Sequence, residues 1–299
     1  MLDIAGKRKW FFIISGIIIL IGIVSLLTFG LTPGIDFSSG SILTLSFEQG
    51  DVDESQLRQE LATLGYGNAI VQTTGEGNFL IRTTELTAES KTQLKEDLAA
   101  RFGPIDEKGF ESVDPVIARQ TAQTAAIAVA IAAVGILLYI TWAFRRMPSP
   151  FRYGTCAVIA LLHDVLIVLG IYSIIGGIMT WEINLMFITG VLAVIGYSVN
   201  NTVVVFDRIR ENLIKGISPR FKTVVNSSLV ETLSRSLNTS LTTLFVVLAL
   251  LIFVGVSIQN FAVVLLIGII AGTFSSICIA PLLLVAWEQR GHGTAKARA

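Results

Sequence analysis

The stretch Trp10-Phe-Phe-Ile-Ile-Ser-Gly-Ile-Ile-Ile-Leu-Ile-Gly-Ile-Val-Ser-Leu-Leu-Thr-Phe-Gly-Leu31 runs for 22 residues without a charge. A helix of about 20 apolar residues crosses the ~30 Å hydrocarbon core of a bilayer. Lys7, Arg8 and Lys9 stand before it, as in a signal peptide. The run is too long for a signal segment and no small-x-small cleavage pattern follows, so it reads as an uncleaved anchor. Further apolar runs follow at 120–144, 154–176, 184–206, 238–256 and 260–286. The expected fold is a polytopic α-helical membrane protein with six transmembrane helices, one plus five. The expected division is an anchor over 1–31, a polar domain over 32–118, a five-helix membrane domain over 119–287 and a tail over 288–299.

Composition agrees with that reading. Of 299 residues 53% are apolar and 15% charged, with mean hydropathy +0.71; an ordinary soluble domain carries about 25% charged residues. A disordered chain is excluded and a soluble enzyme is not expected. The 26 glycines suit close helix packing in lipid. Cys156 and Cys278 fall inside apolar runs and are assigned to packing.

The 22 basic and 22 acidic residues cancel, yet their distribution is lopsided. The N-terminus, the loop of Arg145, Arg146 and Arg152, the loop of Arg208, Arg210, Lys215, Arg220 and Lys222, and the tail of Arg290, Lys296 and Arg298 hold 14 of the 22 basic residues. The short loops near Glu182 and Ser257 hold none. By the positive-inside rule both termini are cytoplasmic and residues 32–118 lie outside, in a plasma (inner) membrane, or in a thylakoid membrane if the source is phototrophic. From Thr32 to Arg119 there are 15 acidic and 7 basic residues, so this insert projects into solvent instead of lying on anionic lipid.

The insert reads as βαββαβ, a ferredoxin-like α+β domain. Ser41–Phe47 alternates Leu43, Leu45 and Phe47 on one face. Asp53 with Gln56 has the pattern of a capping box ahead of the stripe Leu57, Leu61, Leu64. Asn68–Thr73 and Asn78–Thr83 flank a Gly75-Glu76-Gly77 turn. Thr87 caps a helix with the face Leu94, Leu98, Phe102, which Gly103-Pro104 stops. A last strand covers Lys108–Val113.

A few polar residues sit where lipid makes them costly, at about 3 kcal/mol for an ionisable group at mid-bilayer. His163-Asp164 lies near the middle of span three, Asn200-Asn201 two turns above the cytoplasmic end of span four, and Arg235 and Asn238 at the entry to span five. Asp164 is either a buried acid bonded across a helix contact or a proton or ion site. His163 points about 100° away from it and reads as a packing residue. Asn201 cannot titrate and reads as interhelical glue. Arg235 follows Glu231 at i,i+4, the favourable order for a solvated pair, with a functional role equally open. Ser218-Pro219 starts an amphipathic segment over 218–237, with Val225, Leu229, Leu233 and Leu237 on one face, placed along the membrane surface.

Catalytic templates are absent from the sequence: no phosphate loop, no His-Glu-x-x-His, no Gly-x-Ser-x-Gly. No cofactor or metal site is expected with two His and two Cys, and no aromatic-basic face points to nucleic acid.

Four stretches carry a family resemblance: Gly34-Ile-Asp-Phe-Ser-Ser-Gly40, Leu162-His-Asp-Val-Leu166, Gly196-Tyr-Ser-Val-Asn-Asn-Thr-Val-Val-Val-Phe-Asp-Arg-Ile-Arg-Glu-Asn212, and Thr232-Leu-Ser-Arg-Ser-Leu-Asn-Thr-Ser-Leu-Thr-Thr243. Together they resemble the SecD/SecF family of membrane subunits in the Sec protein-export pathway, part of the RND superfamily. The resemblance implies a heterodimer with a SecD-type sister in a twelve-span unit. It further implies exported polypeptides, the SecYEG channel, the motor SecA and a YidC-type insertase as partners, and use of the proton motive force. The competing classes are a non-conducting scaffold of the translocase and an RND-type small-molecule permease. Two positions depart from the pattern. Asn201 replaces the span-four acid that the family sets opposite an Arg, here Arg235, so the relay passes to Asp164 or to an acid of the sister subunit. Ser39 replaces a Gly after span one, which is costly only if positive φ is required there.

Overall fold

The computed structural model describes residues 3–48, 52–74, 77–179, 181–253 and 258–296. The turn residues Gly75 and Glu76, the loop residue Ser257 and the tail residue Arg298 lie outside them. The chain divides into two compact units, Pro33–Ala126 and the remainder, Met1–Thr32 with Ile127–Ala299.

In the smaller unit a single-turn helix α2 (Ile35–Ser38) precedes β1 (Gly40–Phe47), α3 (Glu54–Thr63), β2 (Ile70–Thr73), β3 (Phe79–Thr83), α4 (Ala88–Phe102) and β4 (Ile105–Val113). The sheet is antiparallel throughout, in the order β2-β3-β1-β4. That is the ferredoxin-like arrangement read from the residue pattern. Leu43 pairs with Ile81 on one side and Phe110 on the other, and a bulge after Thr44 shifts the β4 register. Leu43, Leu45, Leu57, Leu61, Ile81, Leu94 and Leu98 form the core, all essentially inaccessible. Each contributes about 1.5–3 kcal/mol by leaving water. Phe47 packs edge-on against Phe79 and Phe102.

Local chemistry sets the element ends. The Thr87 hydroxyl accepts from the Ser90 N–H at 3.2 Å, and Gly103 closes α4 with φ +87°. Asp53 occupies the N-cap of α3 but caps no backbone N–H; its carboxylate takes the Ser55 hydroxyl instead, so the capping box is not formed. Lys95 at 2.5 Å and Lys91 at 2.9 Å hold Glu107 and clip α4 to β4. The Lys95 hydrogen bond first, and then that of Lys91, keep the Glu107 carboxyl below its ordinary range. Ser39 has φ +62° and ψ 171°. That region belongs to glycine, so the departure from the Gly-rich motif carries backbone strain. At Gly40 (φ +121°) an added Cβ would meet the Thr83 carbonyl at 2.6 Å.

The larger unit is a helix bundle: α1 (Arg8–Thr28), α5 (Pro115–Ala143) from Ile127 onward, α6 (Pro150–Met179), α7 (Leu185–Ile214), α8 (Phe221–Phe253), α9 (Gln259–Cys278) and α10 (Ala280–Lys296). Among the described residues six helical stretches are long and apolar enough to span a membrane, α9 running with α10 as one. Pro281 explains their junction at Ile279: it lacks an N–H, and its ring opposes the carbonyl four residues back. The helices approach closely at small residues. A Cβ at Gly170 of α6 would sit 2.5 Å from the Gly22 Cα of α1, and one at Gly272 of α9 would sit 2.9 Å from the Ser198 Cβ of α7.

The amphipathic segment needs correction. It is no separate surface helix: α8 begins at Phe221, two residues after Pro219, and continues unbroken through span five. The first half of its stripe serves internal packing, with Val225 and Leu229 fully buried, whereas Leu233 is half-buried and Leu237 exposed. Nothing in 221–253 breaks the helix, since the stretch has neither Pro nor Gly.

Candidate functional site

Four helices meet at one carboxylate. Asp164 of α6 is 1% exposed. Its Oδ2 accepts the Ser198 hydroxyl of α7 at 2.5 Å and the Ser275 hydroxyl of α9 at 2.7 Å. Its Oδ1 lies 2.9 Å from His163 Nδ1, and His163 Nε2 lies 2.5 Å from the Ser15 hydroxyl of α1. A proton on Nδ1 satisfies every contact: Ser15 donates to the ring, the ring donates to Asp164, and two serines complete the acid. Phe274 stacks on the imidazole at 6.2 Å. The close approaches at Gly22 and Gly272 let α1 and α9 reach this centre with side chains as short as serine.

His163 is therefore not merely a packing residue. Adjacent residues on a helix diverge by about 100°, but a His and an Asp are each long enough to bend toward one another. The serines were illegible as site residues because single serines are ordinary in membrane helices, where they commonly bond the preceding turn. The signal available was Ser198 inside the long span-four motif. A second ladder lies along the same helices, where Ser25 bonds Ser173 at 3.0 Å and Ser173 donates to the Gly30 carbonyl at 2.7 Å.

The other polar candidates form a different picture. Asn201 of α7 is 3% exposed, and its Nδ2 has no hydrogen-bond partner among the described residues. Asn200, Arg235 and Asn238 are exposed on α7 and α8. No hydrogen bond joins Asn201 to Arg235 among the described residues. Arg235 does not pair with Glu231 either. Glu231 is taken by Arg208 and by Asn212 Nδ2, the latter at 2.9 Å. Arg208 also reaches Glu211 at 2.5 Å, Arg210 reaches Asp207 at 2.5 Å and Lys215 reaches Glu211 at 2.6 Å, a charge cluster at the polar end of α7. A cross-helix partner displaced the i,i+4 pair because Arg208 on α7 faces α8 at that level.

Among the described residues no group of three or more His, Cys, Asp or Glu is placed to hold a metal. Cys156 and Cys278 are buried, unpaired thiols in the apolar core.

Comparison with known proteins gives a consistent neighbourhood. Residues 93–290 match the family model "Protein export membrane protein SecD/SecF, C-terminal", and residues 24–51 match "SecD/SecF GG Motif". The chain is 44% identical to the protein translocase subunit SecF of Thermobaculum terrenum, over 97% of this chain and 95% of that one. It is 34% identical to the protein translocase subunit SecDF of Bacillus subtilis, over 96% of this chain but 38% of that longer one. The crystal structure of SecDF from Thermus thermophilus superposes with a TM-score of 0.84 at 32% identity, over 96% of this chain and 39% of that chain. The chain thus spans about two fifths of the SecDF proteins it matches.

Proposed function

The chain belongs to the SecD/SecF family of protein-export membrane proteins, and we propose that it is an accessory subunit of the Sec translocase. The observation that carries this reading is similarity to translocase subunits named SecF along 97% of the chain. It works beside a SecD-type sister, which in the SecDF relatives lies on the same longer chain. Exposed Arg235, Asn238 and Asn200 at lipid depth support such a partner, because a lipid-facing guanidinium is costly. The clustered basic residues favour cytoplasmic termini, with residues 32–118 on the far side where exported polypeptide emerges. SecYEG, SecA and a YidC-type insertase are the partners that membership suggests. No catalytic residue is assigned.

Asp164 is the acid of this chain best placed to exchange a proton with the gradient. Loss of its charge would leave Ser198 and Ser275 donating to a weaker acceptor and loosen the joint of α1, α6, α7 and α9. Asn201 has no proton to give, so any relay through the α7–α8 face relies on an acid of the sister subunit. The amide at 201 also favours a second reading, a non-conducting scaffold. Gentle extraction followed by identification of co-purifying chains tests the assembly; a SecD-type subunit is expected. Reconstituted vesicles with and without a proton gradient test the mechanism. Gradient-stimulated export that Asp164→Asn abolishes supports proton coupling through this chain. Export indifferent to the gradient in the unaltered protein overturns it in favour of the scaffold.

A further inference from the structure

Inside the seam of α7 and α8 two short polar side chains face each other. Asn201 of α7 is 3% exposed and Ser236 of α8 is 2% exposed. Among the described residues four buried side-chain polar atoms have no hydrogen-bond partner, and the Asn201 Nδ2 and the Ser236 Oγ are two of them. The bonded pairs on either side place them at one level. Tyr197 donates to Ser240 at 3.1 Å, Arg208 meets Glu231, and Asn212 donates to Ser228 at 3.0 Å. As the α7 number rises the α8 number falls, so the two helices run antiparallel. Asn201 stands four residues after Tyr197, and Ser236 stands four before Ser240, one turn along the same stripe of each helix.

The Ser236 hydroxyl is turned into this seam. Elsewhere on α8 the hydroxyls of Thr232, Thr239, Thr242 and Thr243 donate to the carbonyl four residues back, the ordinary recourse of a hydroxyl in an apolar helix. Ser236 makes no such bond among the described residues. Ser240, one turn on, is likewise turned outward from its own helix and meets Tyr197 and Thr273.

We propose that Asn201 and Ser236 hold a buried water between them. The donor set decides the ligand. An amide nitrogen offers two N–H groups, and a hydroxyl both donates and accepts. Water accepts from the first and bonds the second in either sense, as buried waters do for polar groups that lack a protein partner. An anion would lie buried without a cation facing it, since Arg235 is on the exposed side of α8. A cation would meet the amide N–H groups, and an apolar filler would leave both side chains unpaired. The sister subunit cannot supply the partner, because both side chains are sealed from the face on which Arg235 and Asn238 are exposed. With the water in place, α7 and α8 are bonded at successive levels from Asn212–Ser228 to Tyr197–Ser240, and one link is a neutral molecule that can exchange. The seat stands whether or not Asp164 exchanges a proton.

The full chain, with any subunit that co-purifies, is isotopically labelled at asparagine nitrogen and reconstituted in lipid vesicles. Water-edited solid-state NMR reads the magnetisation that passes from water to each side-chain amide. The exposed Asn68 gives the wet reference, and Asn201→Gln identifies the Asn201 signal by its loss. The Asn201 amide is expected to receive magnetisation from water despite its burial. Ser236→Val removes that transfer, whereas Ser236→Thr, nearly equal in volume to valine but with a hydroxyl, keeps it. A dry Asn201 amide in the unaltered protein, or transfer unchanged in Ser236→Val, would overturn the proposal. Loss in Ser236→Thr as well would trace the effect to packing and overturn the part given to the hydroxyl. An Asn201 amide signal that shifts when choline replaces sodium at equal ionic strength would assign the seat to a cation instead of water.

Discussion

Two polar places in the bundle differ in one respect. Around Asp164 every donor has an acceptor within the chain, drawn from α1, α6, α7 and α9. On the α7–α8 face the Asn201 Nδ2 is buried without a hydrogen-bond partner among the described residues, and Arg235 and Asn238 are exposed. Buried polar groups in membranes are usually bonded, because nothing in lipid replaces water. The first place is complete by itself and the second is not. The lesson is that the Asp164 centre is closed within this chain, whereas the α7–α8 face leaves polar groups open, as the proposed assembly with a sister subunit requires.

The hardest blow to that contrast would come at Asp164. Asp164→Ala removes the one acceptor shared by Ser198, Ser275 and His163. Breaking a buried charged network typically costs 3–5 kcal/mol. Unfolding of the lone chain in mixed micelles should show a loss of about 3 kcal/mol. A loss below about 0.5 kcal/mol, the size of an ordinary surface change, would mean that the centre does not hold the helices together.

A smaller effect is expected at Ser39, which is strained within the chain and not short of a partner. Its φ of +62° with ψ 171° suits glycine. Ser39→Gly should raise the stability of the βαββαβ unit by about 1 kcal/mol, read as a higher unfolding midpoint. A lower midpoint would show that the serine hydroxyl, which donates to the Ser38 carbonyl, matters more than the backbone strain.

These cases also show what could be read from the residues. Period-2 alternation over Ser41–Phe47 and the 3.6 period of Leu94 and Leu98 made the small sheet domain legible, because one buried face fixes register and helix phase together. The six spans were legible because length and apolarity are one-dimensional properties. The partners of polar side chains were not. Asp53 met Ser55 in place of a backbone N–H, and Glu231 met Arg208 across a helix gap in place of Arg235 one turn on. His163 bent toward its neighbour because Ser15 and Phe274, 148 and 111 residues away, fixed its ring. Asp164 was visible as an acid in lipid, yet its serines were not, since their role depends on which helices touch. Ser39 was visible as a departure, but only the backbone angle showed that it mattered.

The least disruptive substitution is the sharpest discriminator. Arg235 is exposed on α8, and Glu231, the acid one turn before it, is already engaged by Arg208 and Asn212. Arg235→Leu should therefore change the stability of the lone chain by no more than about 0.5 kcal/mol. In the assembly the same change removes the cation that a neighbouring acid would meet in a desolvated contact, where truncating one member of a charge pair costs about 2 kcal/mol or more. The sister subunit should then dissociate during purification while the variant stays folded. If the lone chain instead loses as much as in Asp164→Ala, Arg235 has a partner within the bundle and the two places are alike. If neither stability nor association moves, the α7–α8 face is not where the sister docks, and its exposed polar groups need a different occupant.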